Sequence, residues 1–407
     1  MGKLINKFKV LSMAVFVLAG AGIISLSNGN LAFAVSTTKT WVGTACALST
    51  PNCSWSEETN WQEGAAPVDG DNIVINMSAT TPDNGVSTIN DIPNLVINDI
   101  TVSGYVTSDT SAMSISSTDP INITINGDIT LNTPTVAAPS GYFPAKLLDI
   151  GGLDGLNITL GADSIFTNVY SMAVNDEAIN LNGHMLTVKI TSLAEGLSYW
   201  FAYKITGNGT VNYDLLTTSR LQLNDTNDYS GTTNLISLDY VTTLGNSFGM
   251  FGTSDINIGP SARILYEGDG NITISNKISI TPPTVSGTFL NNQIEFWSDT
   301  ADVFYTVPNI TLLGNARLGT NTVTGTVTVN LAGITTNGHC IQYGDEGDDG
   351  IFQNGPAACI VDVAVPITAP NTAIKNLILS NPIVVAIMGI FSATFVVFMF
   401  RRQFSKK

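Results

Sequence analysis

The sequence predicts an all-β chain coiled as a solenoid of short strands, and three observations predict it. The first is period two: INITINGDITL places Ile121, Ile123, Ile125, Ile129 and Leu131 on one face with polar residues between them. NITISNKISI (271–280) and TVTGTVTVNL (322–331) repeat the design, and Gly, Asn, Asp or Pro bound each run where a turn is needed. The second is composition. Only 12% of the 407 residues are charged, so the chain lacks the Glu, Lys and Arg that hold helices in water, while Gly, Ser, Thr and Asn abound. The third is recurrence. Asn-Ile-Thr begins at Asn122, Asn157, Asn271 and Asn309, and the spacings suggest a unit of about 38 residues built from two coils of about 19. Stacked coils bury the inward Ile, Leu and Val, and outward Thr, Asn and Ser hydrogen-bond along the stack without charge.

Taken in order, the chain divides into five parts. Residues 1–34 run from a basic start (MGKLINKFK) through an apolar stretch to Ala32-Phe33-Ala34, the order of a secretory signal peptide cleaved between Ala34 and Val35. Residues 35–76 hold three of the five tryptophans, Trp41, Trp55 and Trp61. They are read as a cap over the open end of the coil, with a glycan-stacking aromatic platform as the rival. Residues 77–335 form the β-helix and 336–368 an acidic loop and end cap. Residues 369–407 end the chain with Pro382–Phe400, 19 residues without a charge and long enough for a transmembrane helix, then Arg401, Arg402, Lys406 and Lys407, which hold the tail in the cytoplasm. Between the basic ends lie all 32 acids and only eight cations. A body this acidic repels phosphate backbones and excludes nucleic acid as a partner.

Two segments resemble known families. Ala369-Pro370-Asn371-Thr372-Ala373, followed by an apolar run and a basic tail, resembles the LPXTG-type cell-wall sorting signal of Gram-positive bacteria. That resemblance implies a sortase-type transpeptidase that attacks the carbonyl of Thr372 and joins the chain to the cell wall. Ala369 stands where the family has Leu, and Ala373 where Gly is commoner. Residues 223–270 resemble the passenger-associated transport repeat of autotransporters through Asn227, Tyr229, Ser230, Gly231, Thr232 and Thr233 and the later Leu244-Gly245 pair. That resemblance implies a right-handed parallel β-helix. It does not imply autotransport, since the chain ends in one apolar run.

Chemistry-bearing candidates are few. Cys46, Cys53, Cys340 and Cys359 form two local pairs in an exported chain, so disulfides Cys46–Cys53 and Cys340–Cys359 are expected and a zinc site is not. Gly344-Asp345-Glu346-Gly347-Asp348-Asp349-Gly350 lacks the EF-hand spacing, with Pro356 where a bidentate Glu belongs, and is read as a solvated acidic loop. Gly245-Asn246-Ser247-Phe248-Gly249 matches G-x-S-x-G, yet strand and turn residues follow it and the only downstream histidine is His339. His184 sits within a strand pattern. Arg220, Arg263, Arg317 and five lysines show no lyase-like clustering. The sequence therefore assigns no catalytic residue, no metal and no cofactor. It points to an exported, surface-anchored structural or adhesin-like protein facing a glycan or host surface. A wall-attached glycan-binding or glycan-cleaving enzyme is the alternative.

Overall fold

The computed structural model describes residues 36–359, apart from the internal segments 44–52, 77–85, 104–112, 118–119, 133–147, 152–155, 171–177, 192–197, 202, 216–219, 224–226, 239, 244–248, 283–292, 299–301, 323–324 and 345–349. The expected signal peptide with Ala34 and Val35, Cys46, the sorting motif Ala369–Ala373 and the run Pro382–Phe400 all lie outside the described residues. Within them the chain is a parallel β-solenoid with a single helical turn, the 3-10 element Glu58–Asn60. No helix among the described residues is long and apolar enough to cross a membrane.

Every strand pair is parallel, and the strands fall into sheets of 15, 4, 7 and 4 members. The 15-stranded sheet is two faces joined at one long strand, Leu95–Ser103. Its first part pairs Leu95 with Ile123 and its second pairs Ile100 with Ile129. Alternation breaks at Asn98-Asp99, where the strand turns the corner and Ile100 re-enters the core. In the next coil the same corner is the turn Asn126-Gly127-Asp128 between separate strands.

The coil repeat differs from the expected one. Asn122 and Asn157 are direct ladder neighbours, so the 35 residues between their equivalents are one coil and not two. Further along, side chains that bridge adjacent coils are 22 to 25 residues apart. Asn271 lies in a strand of the last four-stranded sheet, and Asn309 immediately precedes Ile310–Leu312 of the 15-stranded one, so those two tripeptides are not equivalent. Coil length varies in the turns, and bulges shift the register at Asp71–Ile73, Tyr213–Asp214 and Leu235–Ser237, which is why a fixed sequence period fails.

The core follows the period-two reading. Ile97, Ile125, Ile129, Ile158, Leu160 and Val188 are all buried, each side chain contributing roughly 1.5–3 kcal/mol. Farther along, rings fill the interior. Phe201 packs edge-on to Tyr203 at 5.1 Å, and Phe296 lies 5.9 Å from Tyr266 and 5.0 Å from Tyr305.

The N-terminal segment closes an edge. Thr38–Trp41 pairs in parallel with Asp71–Asn76, leaving its other edge open to pairing. Residues 60–63 occupy that edge: the Gln62 N–H donates to the Thr40 carbonyl (2.8 Å), the Val42 N–H to the Asn60 carbonyl (2.8 Å) and the Thr40 N–H to the Glu63 carboxylate (2.8 Å). Trp41 and Trp55 pack edge-on against Trp61 at 5.1 and 5.9 Å, and the Trp61 indole N–H donates to the Trp55 carbonyl (2.7 Å). All three rings are buried, so none offers a face for stacking a sugar.

Candidate functional face

Acidic side chains were the first candidates for chemistry, and the structure puts several of the aspartates to another use. The Asp128 N–H donates to Asp99 Oδ1 and the Ile165 N–H to Asp128 Oδ1, each at 2.8 Å, so carboxylates at one corner tie each coil to the next. Asp69, Asp91, Asp163 and Asp302 receive backbone N–H groups in the same way at 2.7 to 3.0 Å. These charge-assisted bonds explain why a solenoid poor in lysine still carries many aspartates. Among the described residues, no three of His, Cys, Asp or Glu come together as metal ligands.

The remaining sequence candidates stay apart. His184 Nδ1 stands 3.8 Å from Asp163 Oδ1 at a corner of the coil. His339 lies in a turn, its N–H donating to the Thr336 carbonyl. Gly245 to Phe248 and Asp345 to Asp349 are outside the described residues. Cys53, Cys340 and Cys359 are disulfide-bonded.

The motif around Asn227 has a structural role. Asn227 Oδ1 accepts the Ile205 N–H (2.7 Å) and its Nδ2 donates to the Met250 carbonyl (2.8 Å). Tyr229 is fully buried, its hydroxyl 2.6 Å from the Thr233 hydroxyl, which is itself 2.6 Å from the Ser254 hydroxyl. Burial pushes the Tyr229 phenol up to about 12 despite these hydroxyl partners and Tyr213. Gly231 lies at φ +114°, and a Cβ there would meet the Gly209 carbonyl oxygen at 2.1 Å.

The outward faces differ in chemistry. On the 15-stranded sheet, Thr187, Asn212, Asn234, Asn257, Ser279 and Thr311 follow one another in register. This file is uncharged and bonded to itself: Asn257 Nδ2 donates to Asn234 Oδ1 and Asn234 Nδ2 to Asn212 Oδ1, both at 2.8 Å.

The seven-stranded sheet is different. Its strands include Arg220–Leu223, Tyr240–Thr243, Ile264–Glu267, Ile294–Ser298, Ala316–Thr322 and Ile341–Tyr343. Inward positions such as Leu221, Val241, Ile264, Ile294, Leu318 and Ile341 are buried in the core. One residue out of phase with them, Arg220, Tyr240, Arg263, Gln293, Arg317 and Gln342 are backbone register partners along the sheet, and of these Gln293 and Arg317 are buried. All the arginines that precede Arg401 thus fall in one file, at every second rung. Each precedes an aliphatic residue (Arg220-Leu221, Arg263-Ile264, Arg317-Leu318), a phase signal in the sequence that unequal turns conceal.

Arg317 anchors the end of this file, its Nε and Nη2 donating to the Gly344 carbonyl at 3.2 and 2.9 Å. Gln293 is 4% exposed and donates to the Thr281 carbonyl at 2.7 Å. Its Oε1, the Oε1 of Gln222 and the Nε1 of Trp297 are buried atoms without a hydrogen-bond partner. All three belong to outward positions of this sheet, as does Glu295, whose carboxylate accepts from Asn321 Nδ2 at 3.4 Å. Buried side-chain atoms without a partner also occur elsewhere among the described residues, at Trp41 Nε1, Trp55 Nε1 and Asn90 Nδ2, so they do not single out this face. The chain matches no known protein-family model, no curated protein and no solved structure.

Proposed function

We propose that this protein is an exported structural or adhesin-like β-solenoid, wound right-handed and held at the cell surface by its C-terminus. The observation that carries this reading is the uncharged outward file from Thr187 to Thr311, whose members from Thr187 to Asn257 hydrogen-bond to one another along the stack. Such a surface tolerates exposure without needing a partner. The aspartates that serve as coil-to-coil acceptors support the same reading, because they are occupied in holding the scaffold. Export and tethering rest on the sequence: the signal-peptide order up to Ala34, the segment Ala369-Pro370-Asn371-Thr372-Ala373, the apolar run and the basic tail. A sortase-type enzyme is the proposed partner, with the cell wall as acceptor. Mass spectrometry of wall digests tests this, and a peptide ending at Thr372 and joined to a wall fragment is the expected product. Recovery of only intact protein still carrying Lys407 would replace wall attachment with simple membrane anchoring.

A further inference from the structure

We infer that the last described coil is closed by a thiol-sensitive latch, in which a strap formed by residues 355–359 covers the terminal strand of the seven-stranded sheet and a disulfide between Cys340 and Cys359 holds it there. This goes beyond the structural reading and does not depend on the tether.

A parallel solenoid presents an end coil whose strands lack a neighbour on one side, so that edge has to be covered. At the first coil, backbone does this on several strands. Beside the residues that line Thr38–Trp41, the Trp55 N–H donates to the Ile89 carbonyl, the Ile89 N–H to the Cys53 carbonyl and the Gly70 N–H to the Val96 carbonyl, each at 2.8 Å. The last coil is closed more thinly. Among the described residues, the strap meets Ile341–Tyr343 through one parallel bridge, Ile341 to Ala358, and one side-chain bond, the Tyr343 hydroxyl donating to the Pro356 carbonyl at 2.9 Å. Gly355, Ala357 and Ala358 are exposed, so the strap gains little from burial. Contacts so few do not offset the entropy lost in ordering the segment, and a covalent link has to supply the difference.

The cysteines stand where such a link acts. Cys340 immediately precedes Ile341 and Cys359 immediately follows Ala358, so the two flank the bridge, and both are disulfide-bonded. Each is half-buried and within reach of an external thiolate. A dithiol reductant opens the bond in two exchanges: its first thiolate forms a mixed disulfide with one cysteine sulfur and releases the other, and its second sulfur then displaces the remaining cysteine. Two electrons pass to the cystine, its two sulfurs take up the two thiol protons, and the reductant leaves as its own disulfide. Cys340 stays fixed after reduction, because its N–H donates to Asn315 Oδ1 at 3.2 Å and its carbonyl accepts the Ala316 N–H at 3.1 Å. The strap is the part free to leave. Its departure bares the edge of Ile341–Tyr343, whose Ile341 is buried in the closed coil.

The test is hydrogen exchange on the full chain in mild detergent, comparing the oxidised wild type, the same folded protein after dithiol reduction, and Cys340→Ser without reductant. Amide exchange within 341–343 is expected to rise at least tenfold on reduction and in Cys340→Ser, to stay unchanged within 95–103, and to return to its starting rate when the wild type is reoxidised. The variant separates this bond from the one that Cys53 makes, and reduction of already folded wild type gives the same readout should the variant fail to fold. Unchanged exchange within 341–343 after reduction, an equal rise within 95–103, or peptide mapping that joins Cys340 to a cysteine other than Cys359 would overturn the inference.

Discussion

The side-chain carbonyl of Asn227 accepts the backbone N–H of Ile205 at 2.7 Å, across 22 residues, at the place where one face of the solenoid runs out of strands. Lys204–Thr206 ends the series that begins with Leu95–Ile97, and among the described residues no further strand lies beyond it in that sheet. An unpaired backbone N–H in the interior is costly, so a side chain takes the place of the missing strand. The same amide caps the Met250 carbonyl. The structure thus gives a physical reason for the Asn in the repeat-like segment from Asn227 to Thr233.

Replacing Asn227 by Ala removes both bonds at once and leaves a buried donor and a buried acceptor. The expected loss is about 2–5 kcal/mol, read from the urea unfolding midpoint. Asn227→Asp keeps the acceptor for Ile205 but loses the donor to Met250 and buries a charge, so it should be no more stable than Asn227→Ala. Wild-type stability in either variant would remove this role.

Gly231→Ala tests the close approach of neighbouring coils. Its φ of +114° and the Gly209 oxygen 2.1 Å from the added Cβ predict a loss of about 3 kcal/mol or more. Gly64→Ala is the comparison. Gly64 has φ +63° with nothing within 4 Å of a new Cβ, so only the left-handed backbone cost of about 1–2 kcal/mol applies.

Alkali should unfold this protein through its buried tyrosines. The phenols of Tyr229 and Tyr343 are pushed up to about 12, chiefly by burial, and those of Tyr266 and Tyr305 are pushed up as well. In the unfolded chain a tyrosine ionises near 10, so above that pH the unfolded state binds fewer protons than the folded one and stability falls as pH rises toward 12. Thermal unfolding followed from pH 8 to 12 should show this decline, and Tyr343→Phe should soften it. A flat profile through pH 11 would contradict the buried placement.

At the acid end, Glu63 carries the opposite linkage. Burial pushes its carboxyl up, but hydrogen bonds from the Thr40 N–H, its own N–H and the Thr40 hydroxyl, with the Lys39 charge, outweigh that and hold it below the usual carboxylate range. Its contribution is present above the ordinary carboxylate pKa and is lost as pH falls through the lowered folded value. Glu63→Gln should therefore be less stable than wild type at neutral pH, and the difference should vanish in acid.

Cysteine pairing is checked by non-reducing peptide mapping. Cys53, Cys340 and Cys359 are disulfide-bonded, and local pairing predicts one cross-linked peptide joining Cys46 to Cys53 and another joining Cys340 to Cys359. Reduction should release both. A peptide joining Cys53 to Cys340 would refute local pairing.

By itself the sequence determined the all-β class, the inward residues and the turns, because alternation of Ile with Thr or Asn in INITINGDITL is a local property that each strand repeats. It also marked the tryptophans of the N-terminal segment, whose size and apolarity favour burial in any arrangement. What it could not carry was anything that depends on coil length. Turns add unequal numbers of residues between rungs, so Asn122 and Asn157 sit side by side while Asn271 and Asn309 do not, and the 38-residue unit dissolved. For the same reason only the tertiary structure aligned Arg220, Arg263 and Arg317 in one file, and only it showed aspartates accepting amides from the following coil. Contacts in a parallel solenoid join residues a whole coil apart. Side-chain phase is therefore written locally, whereas the neighbours of each side chain are chosen by loops whose lengths follow no rule.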